Sequence, residues 1–504
     1  MAFSMSALDV AFVGLAVWLA KQLMDRRKSS LPLPPGPPGL PLIGNALDLP
    51  QTQPHKTFIE WGQKYGPIMH VNALGQPIII VNDVKIATDL LDKKSALYSD
   101  RPTLPMAGEL VGWETTLVLQ HYDSRFKEYR RYLHRFLGTR AGLERYHDLI
   151  EREAHIMVRR IMAAPNDVNE CIRKAAGSII LKMTYGYDTR EEKDQIVDIV
   201  NQATTEFGDV TEAGKIWMVD IMPVLKRLPS WFSFHQLANA YKKTLAAMAD
   251  VPFDWVKEQR AAGTAEHSFV SDLIDASEGT SQEEFNIKWA AASMYSGGAD
   301  TTVGTMYTFF LCMTLYPEAQ RKAQAEIDAV IGSNRLPTLA DRASLPYVEA
   351  LVSEVLRWGP IGPVCIPHRL MEDDVYNGYF IPKGSLVLAN IWNMLHDPAV
   401  YANPLNFEPE RFISSPGKPA EQDPRVCCFG FGRRVCPGMT LAETSVWLET
   451  ACALATLNVS KSRDASGAEI TPSGRYLDGT IAHPEPFQCD IKPRSAQAEA
   501  LVRD

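Results

Sequence analysis

The chain of 504 residues lacks several features that would place it in other classes of protein. It has no internal repeat, no long low-complexity tract and no second linker between domains, so we expect one large folded unit. It also lacks an excess of basic residues, and a net charge of −9 argues against a nucleic-acid-binding protein. Its eight cysteines form no disulfide framework, and a chain of this length can bury an ample core without cross-links. The cysteine pattern therefore favours a reducing compartment.

Long hydrophobic runs are scarce as well. Residues 5–24 are predominantly apolar, but the uninterrupted part, Val10 to Ala20, holds only 11 residues, and basic residues follow at Lys21 and at 26–28. About twenty residues can just span a bilayer. A cleaved signal peptide or a peripheral amphipathic segment is the alternative, although a positive segment ahead of the run and a plain A-x-A cleavage site are both missing. We expect residues 1–24 to be an uncleaved membrane anchor, with the basic cluster on the cytosolic side.

Residues 25–45 are predicted to form a basic, proline-rich hinge. The segment from Leu31 to Asn45 has too many prolines for a helix or a central strand, and it is stiff in the polyproline manner. We expect it to space the folded unit, residues 46–504, from the membrane. The alternative is a binding segment for an SH3-type partner.

The β-strand signals are few and predict a small β lobe. Strands at 67–74 and 77–81, joined through Gly75, are predicted to form a hairpin. A second strand pair is predicted at 374–381 with 385–389.

The remaining apolar periodicity is helical, so the predicted fold is mainly α. A basic helix is predicted to start at 126–135, and residues 145–260 are mostly helical. The longest helical pattern runs from Gln282 to Tyr316 and ends at Pro317. Residues 101–124 are predicted to be a loop that carries more apolar side chains than a solvated loop needs.

The most specific motif lies near the C-terminus, where Phe429-Gly-Phe-Gly432-Arg-Arg434-Val-Cys436-Pro-Gly438 precedes an apolar, helix-forming run. We expect the proline after Cys436 to lie in the first turn of that helix, which places the sulfur beside free backbone N–H groups and the positive end of the helix dipole. This setting stabilises a thiolate. Gly432 and Gly438 would let the backbone approach a flat ligand closely, and Arg434 can reach an anionic group on its rim. Together these residues suit haem.

Two alternatives exist for Cys436. It could be a small buried hydrophobic residue, or it could form a zinc cluster with Cys427 and Cys428. No C-x-x-C pair stands nearby, and adjacent cysteines chelate one zinc ion poorly, so the whole loop fits haem better.

At these residues the chain resembles the cytochrome P-450 family of haem-thiolate monooxygenases, over about residues 31 to 489. The resemblance implies the fold of that family, with haem b (iron protoporphyrin IX) between the long central helix and the Cys loop. It implies that Cys436 is the axial iron ligand and that Phe429, Gly432, Arg434 and Gly438 belong to the haem-binding loop. The segments 34–39 and 368–390 are most similar to microsomal family members of filamentous fungi that act on specialised metabolites.

The resemblance also implies contacts to the two haem propionates. In the family a W-x-x-x-R pattern binds one of them; Arg130 fits the arginine, but Phe126 stands at the tryptophan position and has no N–H to donate. His368 matches the position that binds the other propionate, and a satisfied surface histidine is the alternative. Arg131 and Arg135 match a docking surface for an acidic reductase, although an ordinary solvated helix face explains them equally well.

Within the long helix, the run Ser296-Gly297-Gly298-Ala-Asp300-Thr301-Thr combines two glycines with a polar segment. Adjacent glycines inside a helix cost about 1 kcal/mol each relative to alanine. They expose the backbone so that a small molecule can lie against it, and the Thr301 hydroxyl can donate to the Gly297 carbonyl. The resemblance implies that Asp300 and Thr301 are catalytic and deliver protons during oxygen activation. The alternative is a helix kink with a buried, paired aspartate.

A structural triad completes the set of predicted residues. Glu354 and Arg357 stand three apart on one predicted helix and can form an ion pair, a signal that is weak by itself. The resemblance implies that Arg411, in a Pro-Glu-Arg-Phe segment, joins them in a buried triad that clamps the Cys loop.

The resemblance implies an enzyme that inserts one atom of O2 into a hydrophobic small molecule, a terpenoid or an aromatic or polyketide compound. Its electrons would come from NADPH through a cytochrome reductase, with cytochrome b5 as a further candidate donor. It would sit in the endoplasmic reticulum membrane by a single pass, with a cytosolic catalytic domain. A haem-thiolate isomerase or dehydratase that works without O2, and a non-catalytic haem sensor, are the alternatives.

Overall fold

The computed structural model describes residues 30–191, 193–212 and 217–503, apart from the side chain of Arg140. The fold is mainly helical with small sheets, as predicted. The α-helices are α1 (Pro54–Tyr65), α2 (Val84–Ala87), α3 (Ser95–Tyr98), α4 (Ser124–Leu137), α5 (Arg140–Glu144), α6 (His147–Ala163), α7 (Val168–Tyr185), α8 (Gln195–Thr211), α9 (Met218–Ile221), α10 (Ser233–Ala262), α11 (Phe269–Asp275), α12 (Ser281–Leu315), α13 (Pro317–Val330), α14 (Pro346–Trp358), α15 (Ile391–Leu395), α16 (Met439–Thr456) and α17 (Ala496–Arg503).

The strands are short; two lie between residues 68 and 81 and the others between residues 368 and 493. They are β1 (Ile68–Ala73), β2 (Gln76–Val81), β3 (His368–Arg369), β4 (Asp374–Tyr376), β5 (Tyr379–Ile381), β6 (Leu386–Ala389), β7 (Leu457–Lys461) and β8 (Cys489–Pro493). Turns of π-helix occur at Thr88–Lys93 and Pro105–Val111, and a turn of 3-10 helix at Trp113–Thr115, so the predicted loop at 101–124 is partly helical.

The main sheet has the strand order β1-β2-β6-β3. The predicted hairpin is confirmed, because β1 and β2 pair antiparallel with Ile68 opposite Val81. The second predicted strand pair is wrong: β4 pairs with β5 inside the segment 374–381, and β6 pairs in parallel with β2. The partner of β6 is about 300 residues away in sequence (Ile78 opposite Leu386), which is why local alternation did not find it.

The proline-rich segment does not hang free of the folded unit. The carbonyl oxygen of Pro35 accepts a hydrogen bond from the His70 N–H at 2.9 Å, and that of Pro32 accepts one from the Phe380 N–H at 2.8 Å. Gly36 permits this approach, since a Cβ at that position would overlap the His70 carbonyl oxygen. From residue 32 onward, the predicted hinge is therefore docked along the small β lobe.

Helix α12 is the centre of the molecule. Thr280 caps it with its side chain and forms a capping box with Glu283, and Pro317 opens the next helix, so its predicted bounds are confirmed to within one residue. Every residue from Val303 to Thr314 is buried. It packs against α7, α4, α8, α14 and α16, which together form the main core.

All eight cysteines lie in the described part of the chain and are free. The predicted anchor, residues 1–24, and the basic residues of the hinge lie outside the described residues. Within residues 30–503, with the gaps given above, no helix combines the length and the apolar character that a membrane crossing needs.

Candidate active site

A cavity of about 410 Å³ lies between α12, the Cys loop and the loops that flank them. Two loop segments contribute Val364, Cys365, Ile366, Thr480 and Ile481 to its wall. Most of the candidate residues from the sequence line it as well, namely Arg130, Thr301, His368, Phe429, Arg434, Cys436 and Gly438. The structure thus brings residues from distant parts of the chain to one mainly apolar chamber.

Cys436 lies on the wall of this cavity, just before α16. The helix begins at Met439 with Gly438 as its N-cap, so Pro437 precedes the first turn and the prediction that it lies within that turn is wrong. The Cys436 N–H donates to the Phe429 carbonyl at 2.8 Å, which closes the loop. Burial raises the pKa of the Cys436 thiol, although the backbone N–H of Gly438 and the charge of Arg130 act to lower it. A cation at the sulfur would favour the thiolate, the form that binds metals.

The two predicted glycines of the loop have different roles. Gly438 lies beside the sulfur, as expected. Gly432 does not line the cavity: its φ is +52°, its N–H donates to the Asp92 carboxylate, and a Cβ there would overlap the Leu91 carbonyl oxygen. Gly432 therefore docks the Cys loop on the π-helical turn at Thr88–Lys93. Gly430, with φ +80°, is the glycine of this turn that lines the cavity.

Arg434 reaches from the Cys loop to the loop at 101–124. Its guanidinium donates to the carbonyls of Ser99 at 2.7 Å and Gln120 at 2.6 Å. Its carbon Cζ lies 3.8 Å from the centre of the Phe126 ring, a cation–π contact. Phe126 thus packs at the site through its ring face, a contact that the sequence did not predict, and it has no N–H to donate to a haem propionate.

Two further arginines flank Arg434. Arg130 donates to the Val435 carbonyl at 2.6 Å, next to the cysteine. Arg101, which the sequence did not single out, is 5% exposed and donates to the carbonyls of Val118 and Ile366. No local motif marks it, because its partners come from two separate loops.

These three arginines carry positive charge into an enclosed site, where Asp100 and Asp123 offset the effect of burial only in part. Burial lowers the pKa of Arg434 to about 8, that of Arg101 to about 10, and also that of Arg130. Among the described residues, none of the three forms an ion pair with a carboxylate. Enclosed, unpaired cations destabilise a fold unless an anion compensates them. The two propionate groups of a haem are anions of the right chemistry for this position, so the residues fit that cofactor.

His368 is buried on the same side of the cavity. Its Nδ1 lies 2.7 Å from the Tyr98 carbonyl oxygen, so Nδ1 carries a proton and donates it. Burial, together with the charges of Arg101 and Arg434, holds the pKa of His368 well below its usual value. In its neutral form Nε2 has no proton to give, so His368 would bind a propionate as the imidazolium, with the propionate charge raising its pKa.

The central helix places Thr301 at the cavity. Its hydroxyl donates to the Gly297 carbonyl at 2.9 Å, the contact expected from the sequence. The two glycines differ: a Cβ at Gly297 would meet nothing within 4 Å, whereas a Cβ at Gly298 would lie 2.8 Å from the Ile180 side chain. Both glycines line the cavity, and Gly298 also permits the close packing of α12 on α7.

Asp300 is not among the cavity-lining residues. Its Oδ1 lies 2.9 Å from Arg173 Nη1 and its Oδ2 lies 3.0 Å from His483 Nε2. Burial acts to raise the pKa of Asp300, but the hydrogen bond from His483 and the charge of Arg173 lower it below the usual value. The structure therefore has a half-buried, paired aspartate one residue from Thr301, facing away from the cavity.

The predicted triad forms, and it has a fourth member. Glu354 binds Arg357 at 2.7 Å and Arg411 at 3.2 Å, and all three side chains are at most 1% exposed. Arg411 also binds Glu421 at 2.6 Å. The arginines donate to backbone carbonyls of the segment 395–406, which precedes the Cys loop.

A different arginine ties the Cys loop itself. Arg425 binds Glu349 of α14 at 2.8 Å and Glu443 of α16 at 2.7 Å. It stands two residues before Cys427, and sequence reasoning did not find it because it matches no local pattern. The zinc alternative has no support in the described residues, among which no group of three His, Cys, Asp or Glu side chains is arranged to hold a metal ion.

Comparison with known proteins agrees with this geometry. The sequence profile of the cytochrome P-450 family matches residues 34–488. The chain is 50% identical over 497 residues to cytochrome P-450 monooxygenase 208 of Postia placenta. The alignment covers 97% of this chain and 96% of that protein. It is 46% identical to cytochrome P-450 monooxygenase claR of Ampulloclitocybe clavipes (98% and 92% covered) and 41% identical to cytochrome P-450 monooxygenase ppsD of Aspergillus oryzae (96% and 93% covered). The chain therefore belongs to the cytochrome P-450 family and is a haem-thiolate monooxygenase, an oxidoreductase.

Proposed function

We propose that the enzyme uses haem b to insert one atom of O2 into a neutral, hydrophobic small molecule, with electrons from NADPH delivered by a flavoprotein cytochrome reductase. The observation that carries the proposal is the Cys436 sulfur at the cavity wall, close to three enclosed arginines without carboxylate partners. A haem bound through a cysteine thiolate supplies the redox chemistry that activates O2. The chain supplies the binding site, the protons and the exclusion of water.

Holding the cofactor is assigned to residues from four elements. Cys436 would hold the haem iron through its thiolate, and Arg101, Arg130 and Arg434 would bind the propionates. His368 would join them once protonated. The guanidinium groups already satisfy several backbone carbonyls, so the site is preorganised for an anion.

Proton supply is assigned to Thr301 and Asp300. Thr301 lines the cavity and donates its hydroxyl proton to the Gly297 carbonyl, which leaves the hydroxyl oxygen available as an acceptor for a small molecule in the cavity. Asp300 borders a separate polar cavity of about 340 Å³ that includes Glu170, Arg173 and Asn201. Asp300 adjoins Thr301 in the α12 sequence, so its carboxylate would take up protons at the polar cavity for transfer toward Thr301.

The cavity wall supports a substrate without charge. Its charged side chains are Arg101, Arg130, Arg434 and, on the Cys-loop side, Glu443, which is paired with Arg425. Apart from these charged residues, the described wall is apolar with serine and threonine hydroxyl groups.

These hydroxyls already serve as donors to backbone carbonyls, as Ser293 does to Trp289 at 2.6 Å and Thr305 does to Thr301 at 3.1 Å. Such hydroxyls can accept a hydrogen bond from a substrate O–H, whereas an ionised carboxylate would find no cation there. A terpenoid or an aromatic or polyketide compound that carries hydroxyl groups fits this wall.

The proposal also includes a cellular location and electron-transfer partners. Residues 1–24 would anchor the protein in the endoplasmic reticulum membrane by a single pass, with the catalytic domain in the cytosol. Arg131 and Arg135, both exposed on α4, would contribute to reductase docking, and cytochrome b5 would be a second electron donor at this surface.

The test is the absorbance spectrum of the reduced protein under carbon monoxide. We expect the maximum that gives the family its name in the wild type and its loss in Cys436→Ala. Incubation of reductase-reconstituted membranes with metabolite extracts under ¹⁸O2, followed by mass spectrometry, should give products that carry one labelled oxygen. Conversion without NADPH and O2 would instead indicate an isomerase or dehydratase.

A further inference from the structure

The carboxylate of Asp300 is suspended between two partners on different parts of the chain. Oδ1 binds Arg173 of α7 at 2.9 Å, and Oδ2 binds His483 of the C-terminal loop at 3.0 Å. Because a carboxylate only accepts hydrogen bonds, His483 Nε2 carries the proton of that bond. Each oxygen of the Asp300 carboxylate therefore accepts one hydrogen bond, and the two donors lie on different parts of the chain.

The two partners lead to different cavities. Arg173 borders the polar cavity between α7 and α8, where its Nη1 also lies 3.4 Å from Asn201 Oδ1. His483 follows Thr480 and Ile481, which line the main cavity. Asp300 thus links a solvent-side group with the loop that a substrate would touch.

His483 occupies a place built for it. Its ring lies over Gly304 of α12, where a Cβ would stand 3.2 Å from two ring atoms. The loop is held by the Ala482 N–H, which donates to the Ile361 carbonyl at 2.8 Å, and by the Leu477 N–H, which donates to the His483 carbonyl at 2.8 Å. Ile361 itself lines the main cavity, so the ring position is tied to the cavity wall.

We propose that His483 is a positioning residue that, together with Arg173, holds the Asp300 carboxylate in its observed place between the polar cavity and the C-terminal loop. This rests on the proposed role of Asp300 and Thr301 in proton supply. Without the His483 donor, the carboxylate keeps only Arg173 and turns toward the polar cavity. Contacts between a substrate and the Thr480–Ile481 segment would be transmitted through two residues of backbone to this bond, so proton supply is coupled to occupation of the main cavity.

The test compares His483→Gln, which keeps an N–H donor, with His483→Leu, which does not. The holoenzyme is reconstituted with a reductase, and NADPH oxidation and hydrogen peroxide release are measured with 7-ethoxycoumarin as the probe molecule. Amide hydrogen exchange of residues 476–485 is followed in the same proteins. We expect NADPH oxidation to fall about tenfold in His483→Leu, with faster amide exchange, because loss of positioning at a reacting group costs rate. His483→Gln should stay within about twofold of wild type in NADPH oxidation and in amide exchange.

A double-mutant cycle separates this inference from the proposed function. If His483 acts through Asp300, His483→Leu has no further effect on NADPH oxidation in an Asp300→Asn background. The inference is overturned if His483→Leu behaves as wild type, or if Gln and Leu impair the enzyme equally, which would indicate a purely structural role. If Asp300→Asn itself oxidises NADPH at the wild-type rate, the proposed role of Asp300 fails. Absence of the carbon monoxide band in the wild type would overturn the proposed function as a whole.

Discussion

The protein buries a carboxyl group that should make its stability depend on pH. Glu449 lies in the middle of α16 and is 0% exposed, and neither of its oxygens has a hydrogen-bond partner among the described residues. Burial, with a smaller contribution from Glu153 of α6, raises its pKa from 4.5 to about 8. Glu449 is therefore protonated in the folded protein at neutral pH, whereas the unfolded chain releases that proton.

The sign of the effect follows from proton linkage. Because the folded state binds the proton more tightly than the unfolded state, the free energy of unfolding decreases as pH rises above 4.5 and levels off above about 8. At about 1.4 kcal/mol for each pH unit, the loss is about 1 kcal/mol at pH 5.5 and about 4 kcal/mol at pH 8. For a chain of this length the entropy of unfolding is about 1 kcal/mol per kelvin, so 1 kcal/mol corresponds to about 1 °C in Tm.

The assay is thermal unfolding of the holoenzyme and of Glu449→Gln at pH 5.5, 7 and 8. Glutamine has the shape of the protonated acid and is neutral at every pH, and any cost of burying its amide is independent of pH. We expect the Tm of Glu449→Gln minus that of the wild type to increase by about 3 °C between pH 5.5 and pH 8. Glu258→Gln, at an exposed position on α10, is the control and should show no such trend. A Tm difference that stays constant across this pH range would refute the argument.

Four further predictions follow from the site. Glu354→Ala should leave the buried Arg357 without a carboxylate partner, remove one of the carboxylates paired with Arg411, and yield protein that fails to retain haem; normal haem content would contradict the triad. Gly432→Ala should displace the Cys loop and lower haem content strongly, whereas Gly430→Ala, with nothing nearer to its Cβ than 3.7 Å, should cost only about 1–2 kcal/mol for its left-handed backbone. Charge reversal of Arg131 and Arg135 together should reduce reductase-supported turnover and spare peroxide-supported turnover, and an equal loss of both would argue against docking there. A C15 terpene alcohol should bind at least about tenfold more tightly than the matching carboxylic acid at pH 7.5, measured by absorbance titration, and tighter binding of the acid would contradict the neutral wall.

The parts predicted best are those that depend on neighbouring residues. The β1-β2 hairpin follows from a turn at Gly75, and the bounds of α12 follow from its cap and from Pro317, all of which are local signals. The Cys loop was found because its residues are close in sequence. Such features need no knowledge of the rest of the chain.

The parts that were missed or misassigned depend on contacts between distant segments. Gly432 is required by the close approach of Leu91, and β6 is paired with β2, and in both cases the two partners are more than 300 residues apart in sequence. Arg101 and His483 became visible only when the fold placed them against the cavity and against Asp300. The local sequence around Arg101, His483 or Gly432 cannot show these partners, because nothing in the neighbouring residues distinguishes them from other arginines, histidines or glycines.

The docking of Pro32 and Pro35 on the β lobe limits how far the body can stand from a bilayer. If residues 1–24 span the membrane, eight peptide steps join Met24 to Pro32, and these reach about 28 Å when fully extended. A tether of that length would keep the face that carries the proline segment close to the lipid headgroups. Hydrophobic compounds dissolved in the membrane would then reach the protein surface without passing through bulk solvent.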